Sequence, residues 1–143
     1  MSFETTITHR IMEYFNGINK AIVEKVKGGA ECSGRADING CYYGWSMRIE
    51  VKTPDNRNKP TKKQLYNLYQ WNKAGALCMV VYSLDAVSHA INRFDNLFME
   101  TEKLSWETYN EKNKCKSLIL YPYSEITLEK LYGVYYNDIQ ILD

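Results

Sequence analysis

The sequence predicts an α/β domain, and three observations carry that expectation. Stretches with helical and strand periods follow one another in the order helix, three strands, helix, strand, helix. The run ALCMVVYS, residues 76–83, is continuously apolar and short, which suits a strand covered on both faces. A chain of 143 residues also suffices for one real core, because folds of this size bury roughly two-thirds of the unfolded surface. Residues 1–95 are expected to form that core and residues 96–143 a C-terminal extension packed on the same domain, as a sheet edge or a dimer or substrate contact.

Ile7, Ile11, Tyr14, Phe15, Ile18, Ile22 and Val26 recur at steps of three and four, the stripe of one long amphipathic helix that Gly28-Gly29 would end. A β arm is expected from Ala30 to Ile38, followed by a tight turn at Asn39-Gly40 and a second arm rich in tyrosine. The stretch MRIEVKT then alternates: Met47, Ile49, Val51 and Thr53 point one way, and Arg48, Glu50 and Lys52 the other. PDNRNKP, residues 54–60, reads as an exposed loop. A helix follows from about Thr61, carrying Leu65, Leu68, Tyr69 and Trp71 and stopping at Ala74-Gly75, and another is expected from Asp85 to Phe94. Past Asn96 the signals weaken: Trp106 and Tyr109 lie in a polar stretch without clear period, SLILYPY suggests a strand, Thr127 to Leu131 a helical turn, and VYYNDIQIL a last strand.

Composition narrows the function classes. No apolar run approaches the roughly 20 residues that span a bilayer, so a soluble protein is expected. MSFETTITHR lacks the basic-then-apolar pattern of a secretory leader, and Cys32, Cys41, Cys78 and Cys115 form no C-x-x-C pair, which speaks against zinc and iron–sulfur sites and for reduced thiols in the cytoplasm. A net charge of +1 announces no nucleic-acid partner globally. Locally, however, Lys52, Arg57, Lys59, Lys62 and Lys63 stand against Asp55, an excess of +4 where an anionic partner would land.

Glu50 and Lys52 share a strand face, and a hairpin could fold Asp37 beside them. Two convergent carboxylates make a site for a hard divalent cation, and a neighbouring lysine can stabilise charge developing on a phosphate. Each residue also has a plain structural explanation. E-x-K alternation is ordinary on a solvated sheet face, Asp37 could be a turn residue, and Thr61-Lys62-Lys63-Gln64 matches a capping box in which Gln64 closes the helix start. Glu4 would similarly favour the positive end of the first helix. His9 and His89 have no metal-ligand spacing, and the tyrosines suit core and rim, although rings beside a basic loop can stack bases.

Taken together, SGRADINGCYYGWSMRIEVKTPDNRNKPTKKQLYNLYQWNKAGALCMVVYS resembles the viral replication and repair nuclease (VRR-NUC) domain of the PD-(D/E)xK nuclease superfamily. The matching elements are Gly34-Arg35-Ala36-Asp37, Ile49-Glu50-Val51-Lys52, Thr61-Lys62-Lys63-Gln64 and Gly75, in that order, within a resemblance covering about residues 4 to 92. Ala36 departs from the pattern, since many relatives have proline there. The resemblance implies a restriction-endonuclease-like core, with a central mixed sheet flanked by helices. It implies Mg²⁺ or Mn²⁺ held by Asp37, Glu50, the Val51 carbonyl and Glu4, with Glu13 as the alternative to Glu4. Lys52 would position the attacking water and support developing charge, and Gln64 would orient water or phosphate at the rim. Arg35, Arg57, Lys59, Lys62 and Lys63 become candidate DNA contacts. The implied function is a metal-dependent endodeoxyribonuclease acting on structured DNA such as four-way junctions during phage-type replication, recombination or repair, as a homodimer and without a membrane partner. Two other readings stay open: a catalytically silent nuclease-like module that binds DNA or protein, and a small interaction module working through its tyrosine-rich C-terminus.

Overall fold

A computed structural model describes residues 3–27, 34–54, 59–97 and 105–136, apart from the side chains of Phe3 and Glu4. The elements are α1 (Phe3–Asn16), β1 (Ala21–Lys25), β2 (Ile38–Tyr42), β3 (Trp45–Val51), α2 (Lys62–Lys73), β4 (Leu77–Val81), α3 (Leu84–Leu97), β5 (Trp106–Asn110), β6 (Lys116–Leu120) and α4 (Leu128–Tyr135). The strands form one six-stranded mixed sheet in the order β1-β2-β3-β4-β6-β5. Only β3 and β4 run parallel, as the crossover through α2 requires; every other neighbouring pair is antiparallel. The chain is thus α/β, with β5 and β6 continuing the same sheet beyond β4.

Helices cover both faces. Ile7, Ile11 and Phe15 of α1 and Val87, Ile91 and Phe94 of α3 pack on Met47, Ile49, Val51, Leu77, Met79 and Val81. On the other face Leu65 and Leu68 of α2 and Leu131 of α4 pack on Cys78, Val80, Leu118 and Leu120. Every residue of β4 is buried, which explains its unbroken apolar run: odd positions feed one core and even positions the other. Cys41, Cys78 and Cys115 are free thiols, and Cys32 lies outside the described residues. Among the described residues no helix is long and apolar enough to cross a membrane.

Three expected elements differ. The first helix does not run to Val26. It ends at Asn16, Lys20 takes a φ of 65°, and the chain re-enters as β1, where Val23 is buried and Ile22 is 69% exposed. Ile18, Ile22 and Val26 match a helical step by coincidence of spacing. The hairpin also turns elsewhere. Asn39 and Gly40 lie inside β2, and the tight turn is Tyr43-Gly44, with φ of 48° and 86°, between the paired residues Tyr42 and Trp45. Gly40 has a packing reason instead: a Cβ there would meet the Ile22 carbonyl oxygen and Val23 Cγ1, each at 2.7 Å. Finally, Val134 and Tyr135, expected in a last strand, continue α4. Asn137 to Leu142 of that expected strand lie outside the described residues, as does the start of the β arm expected from Ala30 to Ile38; the described part of that arm, residues 34–37, is not strand, and β2 begins only at Ile38.

Thr127 caps α4 by accepting from the Lys130 N–H, and Trp106 and Tyr109, in the stretch without clear period, belong to β5. β5 is an edge strand whose exposure pattern is mixed, so its sequence carries no clean alternation.

Candidate active site

The residues singled out on β3 are brought together by strand register. Ile38 pairs with Ile49, so Asp37, one residue before β2, stands beside Glu50 at the end of β3. The Val51 N–H donates to Asp37 Oδ2 at 2.8 Å, and the Val26 N–H donates to the Asp37 carbonyl, also at 2.8 Å. Asp37 is therefore held in place from both sides. Lys52 continues the β3–β4 ladder, its N–H donating to the Val81 carbonyl at 2.9 Å.

The face carrying Arg48, Glu50 and Lys52 is not wet. It lies under α2, and Glu50 is only 2% exposed. Gln64 Nε2 donates to Glu50 Oε1 at 3.0 Å, and Lys52 Nζ lies 3.5 Å from the same oxygen. Among the described residues Glu50 Oε2 is buried with no hydrogen-bond partner. Burial, then the Asp37 charge, pushes the Glu50 carboxyl up to about 9, against the opposing pull of Lys52.

Gln64 closes the start of α2, as the capping box predicts, and its side chain also reaches β3. Thr61 Oγ1 accepts from the Gln64 N–H at 3.1 Å and Gln64 Oε1 accepts from the Thr61 N–H at 2.9 Å, a complete capping box. The Nε2 end of the same amide holds Glu50. Gln64→Ala is therefore expected to lower stability by about 1 kcal/mol through the lost cap. Gln64→Glu should lower it further than Ala by setting a third carboxylate against Glu50, and thermal unfolding of the two variants checks the order.

The donor set fits a hard divalent cation. A buried carboxylate oxygen without a donor, beside a second carboxylate, is a place where positive charge is stabilising, and Mg²⁺ commonly takes one or two carboxylates and fills its octahedron with water and substrate phosphate. Among the described residues no group of three or more His, Cys, Asp or Glu side chains converges, so water and phosphate would complete the shell. The Glu4 side chain lies outside the described residues. Glu13 is exposed on α1, which packs against the opposite face of the sheet.

No protein-family model, curated protein or solved structure matches this chain. Its function is therefore read from the site.

The basic residues divide. Arg35 is exposed just before Asp37, and the Lys63 stem lies over Gly34, where a Cβ would meet its Cγ at 2.8 Å. Lys59 Nζ sits 4.3 Å from the Tyr136 ring centre and 3.4 Å from the Tyr135 carbonyl oxygen, and Lys62 Nζ lies 5.5 Å from the rings of Tyr132 and Tyr136. The Tyr136 hydroxyl donates to the Pro60 carbonyl at 2.6 Å, so the residue after α4 is fastened to the chain just before α2. Arg57 lies outside the described residues.

Two features of this face are invisible to periodicity. Trp71, expected on the apolar stripe of α2, is 41% exposed, and the guanidinium of Arg48 lies 3.6 Å from its ring centre. Its neighbour Asn72, polar and part of no motif, is fully buried. Arg48, on the Glu50 face of the strand, is the available signal for the first; nothing local in the sequence marks the second.

Proposed function

We propose that this protein is a Mg²⁺- or Mn²⁺-dependent PD-(D/E)xK endodeoxyribonuclease whose core, from α1 to β4, is restriction-endonuclease-like. One observation carries the reading: a carboxyl group 2% exposed, with one oxygen that has no donor among the described residues, is set between a second carboxylate and a lysine. A buried charge cluster of this kind costs stability in the absence of a cation, which a module that only binds DNA or protein has no reason to bear. Asp37 and Glu50 hold the ion, joined by the Val51 carbonyl and, by resemblance, Glu4. When bound, the ion supplies Lewis-acid polarisation of the phosphodiester and neutralises its charge.

The chain's own residues do the rest. Gln64 fixes the Glu50 carboxylate, and the Val51 N–H fixes that of Asp37. Lys52, 12% exposed, presents its ammonium to the phosphate oxygens on which negative charge grows as a water oxygen bonds to phosphorus and one ester P–O bond breaks. Arg35, Lys59, Lys62 and Lys63 line the approach for the DNA backbone, and Arg57 is added by the sequence pattern alone. Structured or branched DNA as substrate and a homodimer that makes two symmetric cuts complete the reading, with action in the cytoplasm.

The deciding experiment is cleavage of a four-way junction, a flap and plain duplex by the purified chain with Mg²⁺, Mn²⁺ or EDTA. Metal-dependent nicking of the branched substrates, absent in EDTA, is the expected result; intact DNA under all conditions would reject the reading. A second expectation concerns the approach. Neutralising Lys59, Lys62 and Lys63 together should weaken DNA binding and reduce the slope of log K against log salt by up to about 3, roughly one for each phosphate no longer neutralised. Fluorescence anisotropy across a salt series measures it, and an unchanged slope places the DNA on another face.

A further inference from the structure

The site continues into a second layer one step along the same three elements. From Asp37, β2 leads to Asn39; from Glu50, β3 leads back to Arg48, which pairs with Asn39 in the sheet. From Gln64, α2 leads by one turn to Asn67 and by two to Trp71, along one helical stripe. Arg35, Ala36, Asn39, Arg48, Asn67 and Trp71 together line a hollow of about 400 Å³. A strand step of two residues spans about 7 Å, so Asn39 and Arg48 of this hollow stand one such step from Asp37 and Glu50 along their strands.

Its chemistry differs from that of the first layer. The lining residues include no carboxylate. They offer two guanidiniums, two amides that both donate and accept, and an indole edge. Arg48 is held in position: one of its terminal nitrogens donates to Ser46 Oγ at 3.0 Å and to the Met47 carbonyl at 2.7 Å, and the indole of Trp71 supports its plane. Such a guanidinium presents its remaining N–H groups in a fixed direction, as bidentate readers of flat acceptor edges do. A cation is excluded by the two positive charges, and a backbone phosphate would make no use of paired amides.

We infer that this hollow is a recognition pocket for one unpaired nucleobase next to the scissile phosphate, with Arg48 donating to an acceptor edge such as that of guanine and Asn39 and Asn67 completing the contacts. This rests on the nuclease reading for its substrate and deepens it. A base can enter only when it is out of a duplex stack, so the pocket selects DNA that is single-stranded or easily unpaired beside the cut.

The test separates the pocket from the chemistry. Binding of short single-stranded oligonucleotides is measured by anisotropy in Ca²⁺, with guanine, thymine or an abasic residue at each position in turn, and cleavage of the same series is measured in Mg²⁺. The expected result is one position, flanking the cut, where guanine binds at least about fivefold tighter than an abasic residue, a discrimination in the range of a single base contact. Asn67→Ala, at a half-buried position lining the hollow, and Arg48→Met should both flatten it, with unchanged thermal unfolding showing that the fold is kept. Cleavage that is indifferent to the flanking base overturns the pocket and leaves the nuclease reading intact. Base-dependent binding that disappears in Asn67→Ala, but without cleavage under any metal, supports the pocket and overturns the nuclease reading. Failure to bind any oligonucleotide overturns both.

Discussion

Glu50→Gln is expected to abolish cleavage, by about 10³-fold or more, while making the metal-free protein more stable at pH 8. The two effects have one cause. The Glu50 carboxyl is pushed from 4.5 up to about 9 by burial and by Asp37. Below about pH 4.5 the group is protonated in both the folded and the unfolded chain, and its contribution is fully favourable. Between there and about pH 9 the folded chain retains a proton that the unfolded chain has lost, so stability falls as pH rises through that window. The neutral amide removes that slope and with it a penalty on the order of a few kcal/mol. It also removes a negative ligand, so the ion and the polarisation it supplies are lost. Thermal unfolding from pH 5 to pH 9 with and without Mn²⁺ measures the linkage: the cation should raise the midpoint of the native chain more at pH 8 than at pH 5, and should leave Glu50→Gln unmoved. Retained cleavage by this variant would remove Glu50 from the site. Lys52→Ala should lose cleavage by about 10²–10³-fold, the range for removing one transition-state donor, yet keep the cation-dependent shift in midpoint.

The largest structural effect is expected at Asn72. Its Nδ2 donates to the carbonyls of Ala76, Leu120 and Tyr121 at 3.0, 3.1 and 2.8 Å, and its own backbone carbonyl accepts from the N–H groups of Gly75 and Tyr123. One fully buried side chain thus fastens the end of α2 to the start of β4 and the exit of β6. Asn72→Ala removes two N–H donors that three carbonyls share in a place water does not reach, and each group left unsatisfied costs about 1–3 kcal/mol. A loss of about 3 kcal/mol or more is expected in denaturant unfolding. Asn72→Asp should be worse, because it aims a carboxylate at three carbonyl oxygens. A loss below about 1 kcal/mol for Ala would mean that the local structure relaxes around the gap.

Some of this is legible in the sequence and some is not, for physical reasons. α2, β4 and α3 announce themselves through a capping box, an unbroken apolar run and a clear stripe, signals in which local preference and tertiary packing agree. The neighbourhood of Asp37 and Glu50 is legible too, but through the wrong turn. Asn39-Gly40 has the composition of a hairpin loop, yet Gly40 is required by the approach of β1, a contact with residues far back in the chain. The stacking of Arg48 on Trp71 and the role of Asn72 are likewise relations between distant segments, which periodicity cannot register. Trp71 and Asn72 even exchange the places a stripe would assign them, the large ring exposed and the small amide buried.

The clamps at either end of the segment between β3 and α2 have a practical consequence. Lys52 is tied to β4 by its backbone, and Thr61 and Gln64 lock one another where the helix begins. Replacing the sequence between these two fixed points is therefore expected to be tolerated, because lengthening a connection between fixed ends costs only about 0.6 kcal/mol per doubling of length. If the proposed nuclease reading holds, grafting segments of different length and charge there should alter which DNA is captured while Asp37, Glu50 and Gln64 keep their geometry. That makes this span the natural place to retarget the protein.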